Sequence, residues 1–332
     1  MLNTELIPVH LRDLTVDPGL NPNGQPHLSA ASGLVRVKGR LYVVADGEFH
    51  VGLVSESEVS SDQSAVPGVS PPSAPSSPIT LVRLFEGNLP YDKTKRRLAK
   101  PDLETLCALP ALPGCPHGAL LALASGLNMK RETGVLIALD AQGGLTERLA
   151  HINLAALYDP LRKRLDDLNI EGVFLASGEL RLLQRGNRGN AHHPRNACIT
   201  YDWSLLVPWL VGQSPKAPPI KSIRPIMLGD KDGVPLCLTD GAALPGGGWA
   251  FCAVAENNRR SAEDGPCAGS AVGVVGPEGK IRQLHWLQGA PKVEGVVTEV
   301  AADGSLVLTL VTDGDDPAVA SQLLRVQLPY KL

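Results

Sequence analysis

Glu171-Gly172-Val173 and Glu294-Gly295-Val296 each set an acid and a glycine at the head of an apolar run. Comparable heads occur at Ser32, Glu104 and Asp240, so that the starts fall at 32, 104, 171, 240 and 294. If these segments repeat around an axis, Ser32, Glu104, Glu171, Asp240 and Glu294 converge on it. Carboxylates gathered in a narrow space repel one another, and buried charge without compensation is costly, so such a ring calls for a cation. A donor set made only of oxygens suits a hard divalent ion, and Ca²⁺ accepts about 6–8 oxygens in flexible geometry. Zn²⁺ is disfavoured because no histidine or cysteine joins the set. The competing expectation is that each acid caps a strand end or pairs with Lys100, Arg185 or Lys292. In the fourth segment Thr239 is an alternative to Asp240.

A second group of residues lies in the polar loops that follow each repeat's second apolar run. Arg185, Asn187, Arg188, Lys130, Asn128 and Arg259 are candidate ligand-binding residues, because guanidinium and ammonium groups hold phosphate or carboxylate. Asp46 and Asp313 are candidates to orient an attacking water, with Arg185 as the third catalytic candidate; Glu48 is a further ligand-binding candidate. Adjacent His192 and His193 sit in a proline-containing loop and read as surface residues. No Ser-His-Asp set, phosphate-binding P-loop or GxGxxG fingerprint directs the chemistry elsewhere.

The elements that must position these residues follow from the same repeat. Each head opens a pair of strand-like runs around a turn, such as SGLVRVKGRLYVVADGE from Ser32 and EGVVTEVAADGSLVLTLVTDG from Glu294. Two more strand-like runs follow in every unit but the last, whose fourth is missing. Residues 5–16, ELIPVHLRDLTV, can supply it. The fold expected is all-β: a five-bladed β-propeller with four antiparallel strands per blade, one domain over residues 1–332, closed by the N-terminal strand. Closure leaves only short sheet edges. A β-sandwich is the alternative. A Ser/Pro-rich stretch at 59–78 reads as a flexible loop inside the first blade, and 204–219 as a long loop in the third.

Composition agrees with this and narrows the function. Aromatics are only 4% of the 332 residues, whereas there are 34 glycines and 28 prolines, which favours short strands and many turns. The net charge of −3, with basic residues dispersed, argues against a nucleic-acid surface. No membrane span or secretory signal is expected, which points to a cytoplasmic location. The six cysteines form no CxxC pair and are expected as free thiols, with a Cys107–Cys115 bridge as the alternative. A small anionic ligand is the partner these features suggest.

LSAASGLVRVKGRLYVVADGEFHVGLV, LTDGAALPGGGWAFCAVAEN and KVEGVV resemble blades of the calcium-activated nucleotidases, the soluble apyrases. Their acid-glycine openings are similar also to those of bacterial phytase-like and esterase-like propellers. The resemblance implies a five-bladed propeller with Ca²⁺ in its channel, held by one ligand per blade in the order Ser, Glu, Glu, Ser, Glu. Here the matching positions are Ser32, Glu104, Glu171, Asp240 or Thr239, and Glu294. Where that family carries Asp-Asp-Arg-Thr-Gly, this chain has Asp46-Gly47-Glu48-Phe49-His50, without the arginine. The implied activity is metal-dependent hydrolysis of a phosphate-containing substrate. The alternatives are a non-catalytic propeller with a structural calcium and a lactonase-type site drawing on Glu171, Asn187 and Asp240.

Overall fold

The computed structural model describes residues 5–21, 24–54, 77–90, 92–186, 196–257 and 265–330. It is a five-bladed β-propeller. Blade 1 comprises Ala31–Val37, Arg40–Ala45, His50–Val54 and Thr80–Arg83; blade 2, Leu103–Leu109, Ala119–Ala124, Thr133–Leu139 and Leu145–Asn153. Blade 3 comprises Ile170–Ala176, Glu179–Gln184, Ala197–Asp202 and Ser222–Pro225; blade 4, Cys237–Ala243, Trp249–Glu256, Cys267–Val275 and Ile281–Leu287. Blade 5 is built from Val293–Val300, Leu306–Thr312 and Gln322–Leu328, and Val9–Asp13 completes it antiparallel to the last of these. The segment expected as a single closing strand divides in two. Glu5–Leu6 first runs parallel to the outer strand of blade 4, so the N-terminal segment ties two blades together.

Sheet faces pack blade against blade. One hydrophobic core lies at each junction: Leu14, Leu34 and Val311 between blades 5 and 1; Tyr42, Leu106 and Ile137 between 1 and 2. Leu121, Tyr158 and Ile199 fill the junction of blades 2 and 3, Phe174, Trp249 and Phe251 that of 3 and 4, and Val254, Leu308 and Leu324 that of 4 and 5. The alternation of each strand thus feeds two cores, one on either side, which is why the inner runs read as nearly continuous apolar stretches rather than as half-polar ones. The first strands touch one another in the order 1-2-3-4-5-1 and line the axis.

The glycine of the repeated acid-glycine pair has a packing role at these contacts. A Cβ on Gly33 would stand 2.7 Å from the backbone nitrogen of Leu106 in the next blade, and one on Gly295 would stand 2.7 Å from the carbonyl oxygen of Ser32. Only hydrogen fits where the inner strands approach this closely. The equivalent position is Thr105 in blade 2 and Asp240 in blade 4.

The links also hold helices. Lys93–Ala99 joins blades 1 and 2, with Asp92 accepting the Lys95 N–H at 2.8 Å as its cap. Ala155–Arg162 joins blades 2 and 3 and buries Leu157, Tyr158 and Leu161. The stretch expected as a loop from 204 opens instead with the helix Trp203–Leu210, capped by Asp202 and anchored by Leu206 and Leu210. The expected loop at 59–78 falls almost wholly outside the described residues. Among the described residues no helix is long and apolar enough to cross a membrane. All six cysteines are free thiols, so the Cys107–Cys115 bridge is not formed.

Candidate metal centre

Every first strand carries one register shift against its neighbour, at the same step. It falls between Ala31 and Gly33, Leu103 and Thr105, Ile170 and Gly172, Leu238 and Asp240, and Val293 and Gly295. The residue left unpaired is therefore Ser32, Glu104, Glu171, Thr239 and Glu294. A bulge sets two residues against one and re-aims the extra side chain. In a radial sheet, whose regular side chains face the neighbouring blades, the extra one is free to face the axis.

In the fourth blade the bulge falls on Thr239, the alternative to Asp240. The Thr239 hydroxyl donates to the Val293 carbonyl at 2.7 Å. Asp240 occupies the position that glycine holds in three other blades. Its Oδ2 accepts the Val296 N–H of blade 5 at 3.0 Å, while its Oδ1 is buried without a partner.

Glu171 and Glu294 converge through Arg185. Arg185 of blade 3 places Nη1 3.6 Å from Glu171 and 3.6 Å from Glu294 of blade 5, which is not an adjacent blade. Its Nη2 donates to Glu256 of blade 4. Within the ring, Glu171 accepts a 2.6 Å hydrogen bond from Asn169, Ser32 donates to the Ala30 carbonyl at 3.3 Å, and Glu294 Oε1 is buried with no hydrogen-bond partner.

A second tier surrounds the ring. After the second strand of blades 1, 2, 3 and 5, the next residue returns its N–H to the carbonyl two residues before the bulge: Asp46 to Ala30, Ser125 to Asp102, Arg185 to Asn169, and Asp313 to Lys292. The catalytic candidates Asp46, Arg185 and Asp313 thus hold equivalent places in blades 1, 3 and 5. Lys100 bridges Asp46 and Asp102, and Arg131 binds Asp102 at 2.9 Å. Lys292 lies 3.6 Å from Glu294 and 3.7 Å from Asp313 and is paired with Asp315. One carboxylate oxygen from each of Asp46, Asp102 and Glu104 lies within 4.8 Å of the others.

Among the described residues at this mouth, carboxylates outnumber cations: Asp46, Asp102, Glu104, Glu171, Glu256, Glu294, Asp313 and Asp315 face Lys100, Arg131, Arg185 and Lys292. Burial registers in the acids. Burial, then the charges of Glu171, Asp102 and Asp46, push Glu104 well above the ordinary carboxylate range. Burial pushes Glu171 up to about 8 against the opposing pull of Arg185. Burial raises Glu294 as well, and raises Asp313 to about 7 with Asp46, Asp315 and Glu294 adding to it. Burial works against the charge on Arg185 too, yet Glu171, Glu294 and Glu256 keep it firmly protonated.

The donors fit a hard cation. They are carboxylate and hydroxyl oxygens of the bulged residues, carboxyl groups outnumber cations at the mouth, and Glu294 Oε1 is a buried acceptor that has Arg185 and Lys292 3.6 Å away but no hydrogen bond.

Other candidates fall elsewhere. Glu48 is buried against Arg96 at 3.0 Å. Asn128 and Lys130 are exposed in a turn where the side-chain Oδ1 of Asn128 accepts the Lys130 backbone N–H at 2.9 Å. From that loop it is Arg131 that reaches an acid of the mouth. Asn187, Arg188 and Arg259, like His192 and His193, lie outside the described residues. Asp102, Arg131 and Glu256 escaped the sequence reading. Asp102 carried a usable signal, since it stands two residues before Glu104 where Lys292 stands before Glu294.

The class defined by these features is a five-bladed propeller with an acidic, oxygen-lined channel mouth. The chain belongs to the family of unknown function DUF6910, whose family model matches residues 95–317. No curated protein matches its sequence. Similar solved structures include the glutaminyl cyclase of Myxococcus xanthus, at 10% identity over 98% of each chain with a TM-score of 0.47. A luciferin-regenerating enzyme aligns at 13% identity over 99% of this chain and 93% of its own, TM-score 0.40. The calcium-binding protein regucalcin of Agrobacterium tumefaciens aligns at 10% identity over 99% and 93%, TM-score 0.39. The sheet order of the molecule itself defines the fold.

Proposed function

We propose that this protein is a calcium-binding propeller that hydrolyses a small anionic, phosphate-containing substrate at its channel mouth. Ser32, Glu104, Glu171, Thr239 and Glu294 would hold the ion, in the oxygen-only order that calcium accepts. The observation that carries the proposal is the surplus of carboxylates over cations at the mouth, with Glu294 Oε1 buried and without a hydrogen bond. A bound divalent ion supplies Lewis acidity to a phosphoryl or carbonyl oxygen. Asp313, raised to about 7 and one tier out from the ring, has the proton affinity of a general base working near neutral pH. Asp46 occupies the equivalent place in blade 1 and would share in orienting water.

A second function, a structural calcium in a non-catalytic propeller, is favoured by one observation. Arg185, the expected anion clamp, is already shared among Glu171, Glu256 and Glu294. Turnover separates the two. Calcium-loaded protein should hydrolyse at least one of a panel of nucleotides, phytate and simple esters, and chelation or Asp313→Asn should abolish it. A calcium-loaded protein inert across that panel would refute the hydrolase and leave the structural ion.

A further inference from the structure

Arg185 and Glu256 meet beside the cation site proposed above, and the role inferred for them rests on that site. Glu256 ends the second strand of blade 4, whose ring residue is the uncharged Thr239. Its two oxygens are both committed. Oε1 accepts the Gly265 N–H at 2.7 Å, which fixes the carboxylate to the backbone, and Oε2 accepts from Arg185 Nη2. The other terminal nitrogen of Arg185, Nη1, stands 3.6 Å from Glu171 Oε2 and 3.6 Å from Glu294 Oε1. Both separations exceed a direct N–H···O hydrogen bond. The guanidinium therefore leans on Glu256 and stops short of closing on the ring. Glu294 Oε1, the acceptor it leaves unbonded, is buried and without a hydrogen-bond partner.

We propose that Arg185 is a tethered counter-ion that competes with the metal for Glu171 and Glu294, and that Glu256 is the positioning residue that holds it to one side. A tethered cation lets the acidic mouth fold before metal arrives, because ring carboxylates without a counter-charge would repel one another. It also sets the affinity: the closer Arg185 sits to Glu171 and Glu294, the more the arriving ion must displace. Arginine suits the role because its planar fork can contact separate carboxylates at once, whereas an ammonium is a single point charge.

The test is calorimetric titration of Ca²⁺ into wild type, Glu256→Gln, Arg185→Met and the double variant, with a thermal melt of each as a folding control. Loss of Glu256 should weaken calcium binding at least about tenfold when Arg185 is present, and by less than about threefold when it is absent, the coupling expected of two residues joined in one ion-pair network. Arg185→Met alone should tighten binding. If Arg185→Met does not fold, Arg185→Lys carries the same comparison, since its ammonium cannot span the three acids and the effect of Glu256→Gln should shrink. An equal loss in both backgrounds would mean that Glu256 acts through its charge alone and would overturn the proposal. So would no loss in either. Wild-type protein that binds no calcium would overturn the metal site together with the inference built on it.

Discussion

Replacing Gly295 with alanine tests whether the acid-glycine pair is a packing device of the ring. The added Cβ would lie 2.7 Å from the Ser32 carbonyl oxygen, 2.8 Å from a Val311 methyl and 3.0 Å from Leu34 Cβ. An ordinary carbon–oxygen contact is about 3.3 Å, so the inner strands of blades 5 and 1 must part by roughly 0.6 Å. The nearest obstacle is backbone, which cannot rotate away. Overpacking of this kind costs ~1–3 kcal/mol, and an immovable neighbour places it toward the upper end. At ~2–4 °C per kcal/mol for large domains, the melting temperature should fall by roughly 6–10 °C. Gly47→Ala is the control, because its Cβ would meet nothing nearer than Arg96 Nε at 3.8 Å. That change should stay within ~0.5 kcal/mol of wild type. Urea unfolding with matched thermal melts reads both. If Gly295→Ala were no less stable than Gly47→Ala, the close approach of the inner strands would not be the reason for the glycine.

The register of blade 4 makes a paired prediction. Thr239→Val should cost about 1 kcal/mol through the lost bond to Val293 and weaken calcium severalfold. Asp240→Asn, at a carboxyl that burial pushes well above the ordinary range and that points to blade 5, should leave calcium affinity within about threefold, and calorimetry showing the reverse ranking would return Asp240 to the ring. Stability should also depend on pH in a definite sense. Glu171 at about 8 and Asp313 at about 7 bind protons in the folded protein that the unfolded chain, titrating near ~4, has already released. Metal-free protein should therefore lose stability as pH rises from about 5 to 8.5, and saturating calcium should flatten the loss by displacing those protons. Chemical unfolding at several pH values would show it, and stability rising with pH in metal-free protein would contradict it.

The fold was legible because its grammar repeats. Two apolar runs around a turn, opened by an acid or a serine, recur five times, and the missing strand is present at the N-terminus. Blade 4 was harder to place because its pair is Thr239-Asp240 where Gly follows the bulge in blades 1, 3 and 5. A bulge leaves no mark in periodicity, so a one-residue ambiguity there moves a carboxylate from the axis to a blade interface. The loop 125–132 misled in another way: Lys130 and Arg131 are adjacent and alike in charge, and only the turn at Asn128 decides which faces the acids. Partners such as Glu256 for Arg185 lie on different blades, at a separation of 71 residues that no local pattern connects. The helix Trp203–Leu210 hid behind its internal Pro208.

The most direct measurement is a thermal melt of chelator-treated protein with Ca²⁺ or Mg²⁺ added back, accompanied by calorimetry. Binding to the folded state alone should raise stability by about 2.7 kcal/mol at a hundredfold excess over Kd, and Glu104→Gln or Glu171→Gln should reduce the shift. A clear rise with calcium and a much smaller one with magnesium is the expected result. Metal-free protein that neither shifts its melt nor gives heat with calcium would show that the protein's own cations and protons are sufficient counter-charge for its acidic ring.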